Sequence, residues 1–300
     1  PGTGDPAAAP TSAPAPAATA WTMPTVAPAA APTQAPEAVA KYTEAPQLAQ
    51  LVAEGKLPPV DQRLPKNPSV YPVIETIGKY GGTIRKAFKG VKDSAVATHW
   101  VACSLTHFNP DLSLRPDLCE AWELDESASE FTIHFREGTR WSDGELFTTE
   151  DVRWWFEDVV QNKDLTSALP GAYSTGEPPV LMELEIVDDL TVVMRFAHSF
   201  PVFMHQQNSG GPFMPSHYLK QFHIEYTDDK AALEAKVKEA GFNSWAEYFD
   251  DRNDWYMNVD RPVLHPYIAT NQLASELFII ERNPYFIGVD AEGQQLPYVD

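Results

Sequence analysis

Apolar and polar positions alternate most plainly over residues 130–136, where Phe131, Ile133 and Phe135 face one way and Thr132, His134 and Arg136 the other. A period of two marks a strand with one face buried. Trp141-Ser142-Asp143-Gly144 follows as a turn, because Asp-Gly readily adopts the backbone a tight reversal needs. The period then lengthens. Thr148-Thr149-Glu150-Asp151 supplies a cap and an acidic first turn, and Val152, Trp155, Phe156, Val159 and Val160 recur at helical spacing. Ile186-Val187 and Val192-Val193 flank Asp188-Asp189, which predicts a hairpin over 183–196.

Elsewhere the pattern is shorter. A helix is predicted over 47–53, stopping at Gly55, after which the Pro-rich stretch 57–72 should cross the surface in extended form. Gly81-Gly82 leads into a predicted first strand at 83–88, then a helix over 93–105 and a turn at Asn109-Pro110-Asp111. Further helices are expected at 200–207, at 229–240 with Gly241 as its stop, and at 244–250 with Trp245, Tyr248 and Phe249 buried. An apolar strand at 277–281 ends the series. Strands and helices mix without a regular βαβ repeat, so the class is α/β with discontinuous layers.

Composition divides the chain. Residues 1–40 hold 15 Ala and 9 Pro but only two charged side chains, Asp5 and Glu37. Such a run cannot offset its ordering entropy and reads as a disordered Ala/Pro-rich tether. Residues 41–75 read as a transitional linker and 76–300 as the folded part, long enough for a sizeable core. The net charge is −20, nearly all of it beyond residue 75. That argues against nucleic acid and against anionic membrane surfaces as partners. No apolar run approaches the roughly 20 residues that span a bilayer. The chain opens at Pro1 with neither Met nor a hydrophobic segment, which fits either a cytosolic protein or numbering that begins after cleavage. The Ala/Pro spacer favours the second.

Catalytic signatures are absent: no Gly-x-Ser-x-Gly elbow, no His-Glu-x-x-His, no phosphate loop and no Gly-x-Gly-x-x-Gly. No metal site and no cofactor are expected, since neither His217 with His223 nor His198 with His205 puts both rings on one helical face. Asp250-Asp251-Arg252-Asn253-Asp254 lacks the glycine and distal glutamate of a calcium loop and reads as a solvated helix end. Cys103 and Cys119 lie 16 residues apart and read either as two buried thiols or as one disulfide. Aromatics are abundant, with 8 Trp, 11 Tyr and 15 Phe. Trp122, Trp154 and Phe156 belong to the core, whereas Phe213, Trp255 and Tyr256 sit among turn residues, where rings can stack on sugars or line apolar pockets.

Residues 115–160 resemble the signature region of the family 5 extracellular solute-binding proteins. The matching pieces are Pro116-Asp117-Leu118, Glu120-Ala121-Trp122, Arg136-Glu137-Gly138, Trp141-Ser142-Asp143-Gly144 and Thr149-Glu150-Asp151-Val152. The likeness extends in order through Tyr80-Gly81-Gly82-Thr83-Ile84, Asp188-Asp189-Leu190-Thr191-Val192, Met214-Pro215-Ser216-His217-Tyr218 and Glu281-Arg282-Asn283-Pro284-Tyr285-Phe286. Cys119 departs from the usual Ala. Val263-Leu264-His265-Pro266-Tyr267 stands where many members have Gly-Thr-Gly-Pro-Tyr beside the ligand cleft.

The resemblance implies a type II periplasmic-binding-protein architecture. The chain would be its N-terminal lobe, with an inserted subdomain at about residues 96–180 and a second lobe expected downstream of Asp300. It implies a monomeric, non-enzymatic protein that captures a small-molecule solute, an oligosaccharide or oligopeptide, in an interlobe cleft and delivers it to an ABC permease. Location would be extracytoplasmic, at the cell surface or in the periplasm, with a lipid anchor preceding Pro1. Ligand contacts are expected at Gly90, Val91, Lys92 and Asp93, in the loop of Asn208, Gly210 and Phe213, and at His265. Aromatic richness, without evident charged partners for peptide termini, favours an oligosaccharide. The competing readings are a secreted carbohydrate-active enzyme, which needs two carboxylates across a cleft, and a tethered structural protein of the cell surface.

Overall fold

In the computed structural model, which describes residues 42–90, 103–208 and 210–300, the first element is helix α1 (Pro46–Ala53). Proline suits its opening turn, where no intrahelical N–H bond is lost. Helix α2 (Val60–Arg63) and strand β1 (Ser69–Val70) follow. Residues 57–72 therefore do not cross the surface as an extended segment: Val60, Arg63, Leu64 and Ser69 are buried. The cause is Arg63, whose guanidinium donates to the carbonyls of Pro58 and Pro284, to Gln295 and to Glu44. Ser69 and Val70 also pair in parallel with Gly288 and Val289.

The strand predicted at 83–88 does not form. That segment is exposed and lacks strand pairing, although Gly81 and Gly82 just before it bond to Tyr298 and Asp300. Of the helix predicted over 93–105, residues 93–102 lie outside the described residues, as does the tether at 1–40, and 103–105 are not helical. Strands β2 (Thr106–Phe108) and β3 (Leu114–Pro116) form a hairpin around the Asn109-Pro110-Asp111 turn, where the Asp111 carboxylate accepts from the Ser113 N–H at 3.0 Å.

Strands β4 (Cys119–Leu124) and β5 (Glu130–Phe135) come next. Helix α3 (Thr149–Trp154) then continues as π-type turns over Trp155–Val160. A small hairpin of β6 (Ser174–Thr175) and β7 (Val180–Leu181) precedes β8 (Glu183–Asp188) and β9 (Thr191–Arg195). The longer strands make one antiparallel sheet in the order β4-β5-β9-β8. As the alternation predicts, Phe131, Ile133 and Phe135 of the inner strand β5 are at most 2% exposed. They share a core with Trp141, Phe147, Val152, Trp155 and Phe156. The other side of the same helix buries Trp154 and Val159 against Leu219 and Phe249, so α3 and its extension are clamped on two faces.

Helices α4 (Phe203–Gln206), α5 (Ser216–Leu219), α6 (Lys230–Glu239) and α7 (Trp245–Asn253) follow. Asp229 and Ser244 cap the last two, and Gly241 takes the positive φ that stops α6. Strands β10 (Tyr267–Ala269) and β11 (Ile280–Arg282) pair antiparallel, and β12 (Gly288–Val289) is the parallel partner of β1. The strand predicted at 277–281 is thus displaced toward Arg282, leaving Leu277 69% exposed. Cys103 and Cys119 are free, buried thiols and not a disulfide. Cys119 is held by the Leu105 carbonyl, and burial pushes its thiol up to about 12.

Candidate functional site

The turn at 141–144 is locked in place by buried bonds. The Trp141 indole N–H donates to Asp151 Oδ2 at 2.9 Å, while Asp151 Oδ1 accepts from the Ser216 N–H at 3.0 Å and its hydroxyl at 2.7 Å. One carboxylate in the first turn of α3 therefore orients both the turn and α5. Burial raises the Asp151 pKa, although these bonds oppose the shift. The turn then docks on the loop before β10. Ser142 N–H donates to the Val263 carbonyl at 2.9 Å, and Val263 N–H donates to Ser142 Oγ at 3.0 Å.

His217, one residue beyond Ser216, reaches the same turn. Its Nε2 lies 2.8 Å from Asp143 Oδ2, and its ring packs against Trp141. Burial alone would depress the His217 pKa, but the bond to Asp143 and that group's charge outweigh it, and the net shift is upward. Burial likewise works to raise Asp143, yet the His217 bond and the Glu145 N–H hold its carboxyl below the ordinary value.

Where turn and loop meet lies a cavity of about 190 Å³, lined by Ser142, Asp143, Trp255, Asp260, Arg261 and Ile268 among others. Arg261 is fixed by Nε donating to Asn253 Oδ1 and Nη1 donating to the Pro262 carbonyl, each at 3.0 Å. Burial lowers its pKa to about 10, so it stays charged at neutral pH. Behind Trp255 stands His265, with ring centroids 4.5 Å apart. Both His265 nitrogens are buried without a side-chain partner, with only a backbone contact at Tyr267 beside them. Burial and the charge on Arg261 push its pKa down to about 3, so the ring is neutral.

A second, larger groove of about 380 Å³ borders the first. Its lining includes Ile84, Phe88, Tyr267, Leu277, Phe278 and Ile279. Strand β10 serves both hollows, Tyr267 on the groove and Ile268 and Ala269 on the cavity. The rings of Trp255 and Phe278, 6.3 Å apart, connect them. Ile84 at 53%, Leu277 at 69% and Ile279 at 40% exposure gather here. A contiguous apolar exposure of this kind marks a place where something binds.

The residues singled out from the sequence distribute unevenly. His265 stands directly behind the small cavity. Phe213 packs half-buried on Phe147 and Trp141, reaching the site only through the latter ring. Gly90 is exposed two residues beyond the groove-lining Phe88, with φ +98°; Val91, Lys92 and Asp93 lie outside the described residues. Asn208 and Gly210 line neither hollow, and a Cβ at Gly210 would meet no neighbour, so its glycine answers to a φ of +90° and not to a close approach. Asp143, Asp260 and Arg261 line the cavity without a signature in the sequence. Asp143 reads as a turn residue, and the sequence marks the others only by an Asp-Arg pair shortly after a loop tryptophan.

Among the described residues no group of three or more His, Cys, Asp or Glu is placed to hold a metal ion, and no helix is long and apolar enough to cross a membrane.

Residues 113–300 match the middle part of the bacterial extracellular solute-binding proteins, family 5. The chain is 30% identical over 277 residues to a periplasmic alpha-galactoside-binding protein of Rhizobium meliloti (strain 1021), covering 84% of this chain and 37% of that protein. It is similar to the solved structure of an oligopeptide-binding protein OppA, at 38% identity and a TM-score of 0.81, over 87% of this chain and 41% of that one. The periplasmic binding protein MelB of Agrobacterium fabrum C58, solved with stachyose, matches at 26% identity and a TM-score of 0.66, over 87% of this chain and 40% of that one. The chain thus spans about two fifths of the length of these relatives.

Proposed function

Because the chain belongs to the bacterial extracellular solute-binding proteins of family 5, we propose that it captures an oligosaccharide outside the cytoplasm and delivers it to the membrane permease of an ABC importer. The observation that carries the solute class is the small cavity, where an indole, two carboxylates and a guanidinium come together. Sugars offer apolar C–H faces and rows of hydroxyls. They are met by an aromatic platform with charged hydrogen-bonding groups beside it. The adjoining apolar groove gives a longer chain of sugar rings somewhere to lie. The alpha-galactoside-binding relative and the stachyose-bound structure support the same class.

Capture works by population shift. A solute that touches this face and a facing surface at once stabilises the closed arrangement by its extra contacts there, and by no more than that. His265 contributes as a neutral ring behind Trp255. Phe213 supports the site from beneath Trp141.

A second reading, oligopeptide capture, is favoured by the 38% identity to an oligopeptide-binding protein. Thermal-shift measurements on the full-length protein with stachyose, raffinose and a set of tri- to pentapeptides separate the two. We expect the sugars to raise Tm and the peptides to leave it unchanged; stabilisation by peptides alone overturns the oligosaccharide reading.

A further inference from the structure

We propose that the cavity between the 141–144 turn and the 259–263 loop is the subsite for one terminal galactopyranose of the solute, with Trp255 as its platform and Asp260 and Arg261 as its hydroxyl partners. This rests on the reading of the protein as an oligosaccharide binder and says which end is recognised and by what.

Size comes first. Pockets that enclose a whole small-molecule ligand run to about 300–1,000 Å³, whereas this cavity is about 190 Å³. It suits a single ring, and the groove of about 380 Å³ on the other side of β10 takes the rest of the chain. Together the two hollows divide the ligand into one end that is read and a remainder that is accommodated.

The platform is built before the ligand arrives. Trp255 is held edge to face by Tyr256 at 5.8 Å and His265 at 4.5 Å, and lies 6.3 Å from Phe278. Its indole plane is therefore set without the sugar, which lowers the ordering cost of binding. His265 is a positioning residue here: neither ring nitrogen has a side-chain partner, and its ring packs edge to face on the indole. In galactopyranose the 4-hydroxyl is axial, which leaves an uninterrupted C–H patch on the opposite face, the surface an indole covers best.

The polar wall suits a neutral ligand. Arg261 is a donor whose plane is pinned by Asn253 and the Pro262 carbonyl, and Asp260 stands exposed at the rim as an acceptor. Asp143 is already engaged by His217, which leaves Asp260 as the carboxylate that meets the solute. A cation and an anion side by side reward a pair of neighbouring hydroxyls, which both donate and accept. Either end of a peptide would find one attractive and one repulsive neighbour.

Calorimetric titration of the full-length protein with stachyose, raffinose and maltotriose tests the assignment, using wild type, Trp255→Leu and Asp260→Asn. The two galactosides should bind wild type, and each substitution should weaken both by roughly tenfold or more. Asp260 lies at the exposed rim, so D260N retains the wild-type Tm and decides the matter even where the tryptophan variant folds poorly. Unchanged stachyose affinity in D260N alone overturns the subsite while the oligosaccharide reading stands, and unchanged affinity in a folded Trp255→Leu does the same. Wild type that binds maltotriose but neither galactoside has the same consequence. Wild type that binds peptides and no sugar overturns both.

Discussion

His217 and Asp143 join two elements that the sheet does not connect, and they do so through ionisation. The pair spans α5 and the 141–144 turn at 2.8 Å, with side chains 29% and 39% exposed, so water screens it and its contribution is modest. Its sign is nevertheless fixed. A histidine whose pKa is raised by folding stabilises below its unfolded value and loses that contribution as pH climbs through the folded one. An aspartate whose pKa is lowered stabilises above its unfolded value and loses it on acidification. From ordinary values of 6.5 and 3.8, the pair is strongest between about pH 4 and 6.5 and fades above that. The Tm of the full-length protein should therefore exceed that of His217→Gln most near about pH 6, with the gap shrinking by about pH 8.5. A gap that widens with pH contradicts the assignment. Because Asp143 lines the small cavity, the same contact steadies that wall of it.

Helix α3 shows how far local pattern determines an element. Thr148 accepts from the Glu150 N–H and forms a capping box with Asp151. Thr148→Ala should lower the unfolding free energy by about 1 kcal/mol, read from urea denaturation, while an unchanged midpoint would show that tertiary clamping alone holds the helix. Cap, acidic turn and apolar spacing were all legible, because each depends on neighbours within one or two turns. So was β5, whose alternation reflects a single dry face. Residues 83–88 follow a Gly-Gly pair without clean alternation and make no strand: a strand is completed by a neighbour, which its own residues cannot announce. Residues 57–72 failed for the related reason that Arg63 finds its partners at Pro284 and Gln295, more than 200 positions away. The cavity was only partly legible. Trp255 and His265 stood out as an aromatic and a histidine in loops. Asp260 and Arg261 belong to a segment with no period, and their meaning appears only when the 141–144 turn is laid against them.

At the scale of the molecule, Arg63 closes the described fold onto itself. The segment up to β1 is tied to the far end of the chain by Thr43 N–H to the Gly293 carbonyl, Gln295 N–H to the Thr43 carbonyl and the short β1–β12 pairing, and to the sheet side by Lys66 N–H to the Glu137 carbonyl and Arg136 to the Asn67 carbonyl. Arg63 sits at the middle of these with a fully buried side chain, bonding to Gln295 at 3.0 Å, to Glu44, and to two proline carbonyls. Burial depresses its pKa, and the charge of Glu44 opposes that shift. A buried cation contributes little net stability of its own, but deleting it strands every group it satisfied, among them a carboxylate that is itself mostly buried. Arg63→Ala should cost about 3–5 kcal/mol. The loss should also be regional. Hydrogen exchange ought to quicken at Thr43, Ser69 and Tyr71 well before it does in β5, since the four-stranded sheet has a core of its own. Uniform acceleration across both regions would mean that the latch and the sheet unfold as one unit, and that Arg63 stabilises the whole and not its edge.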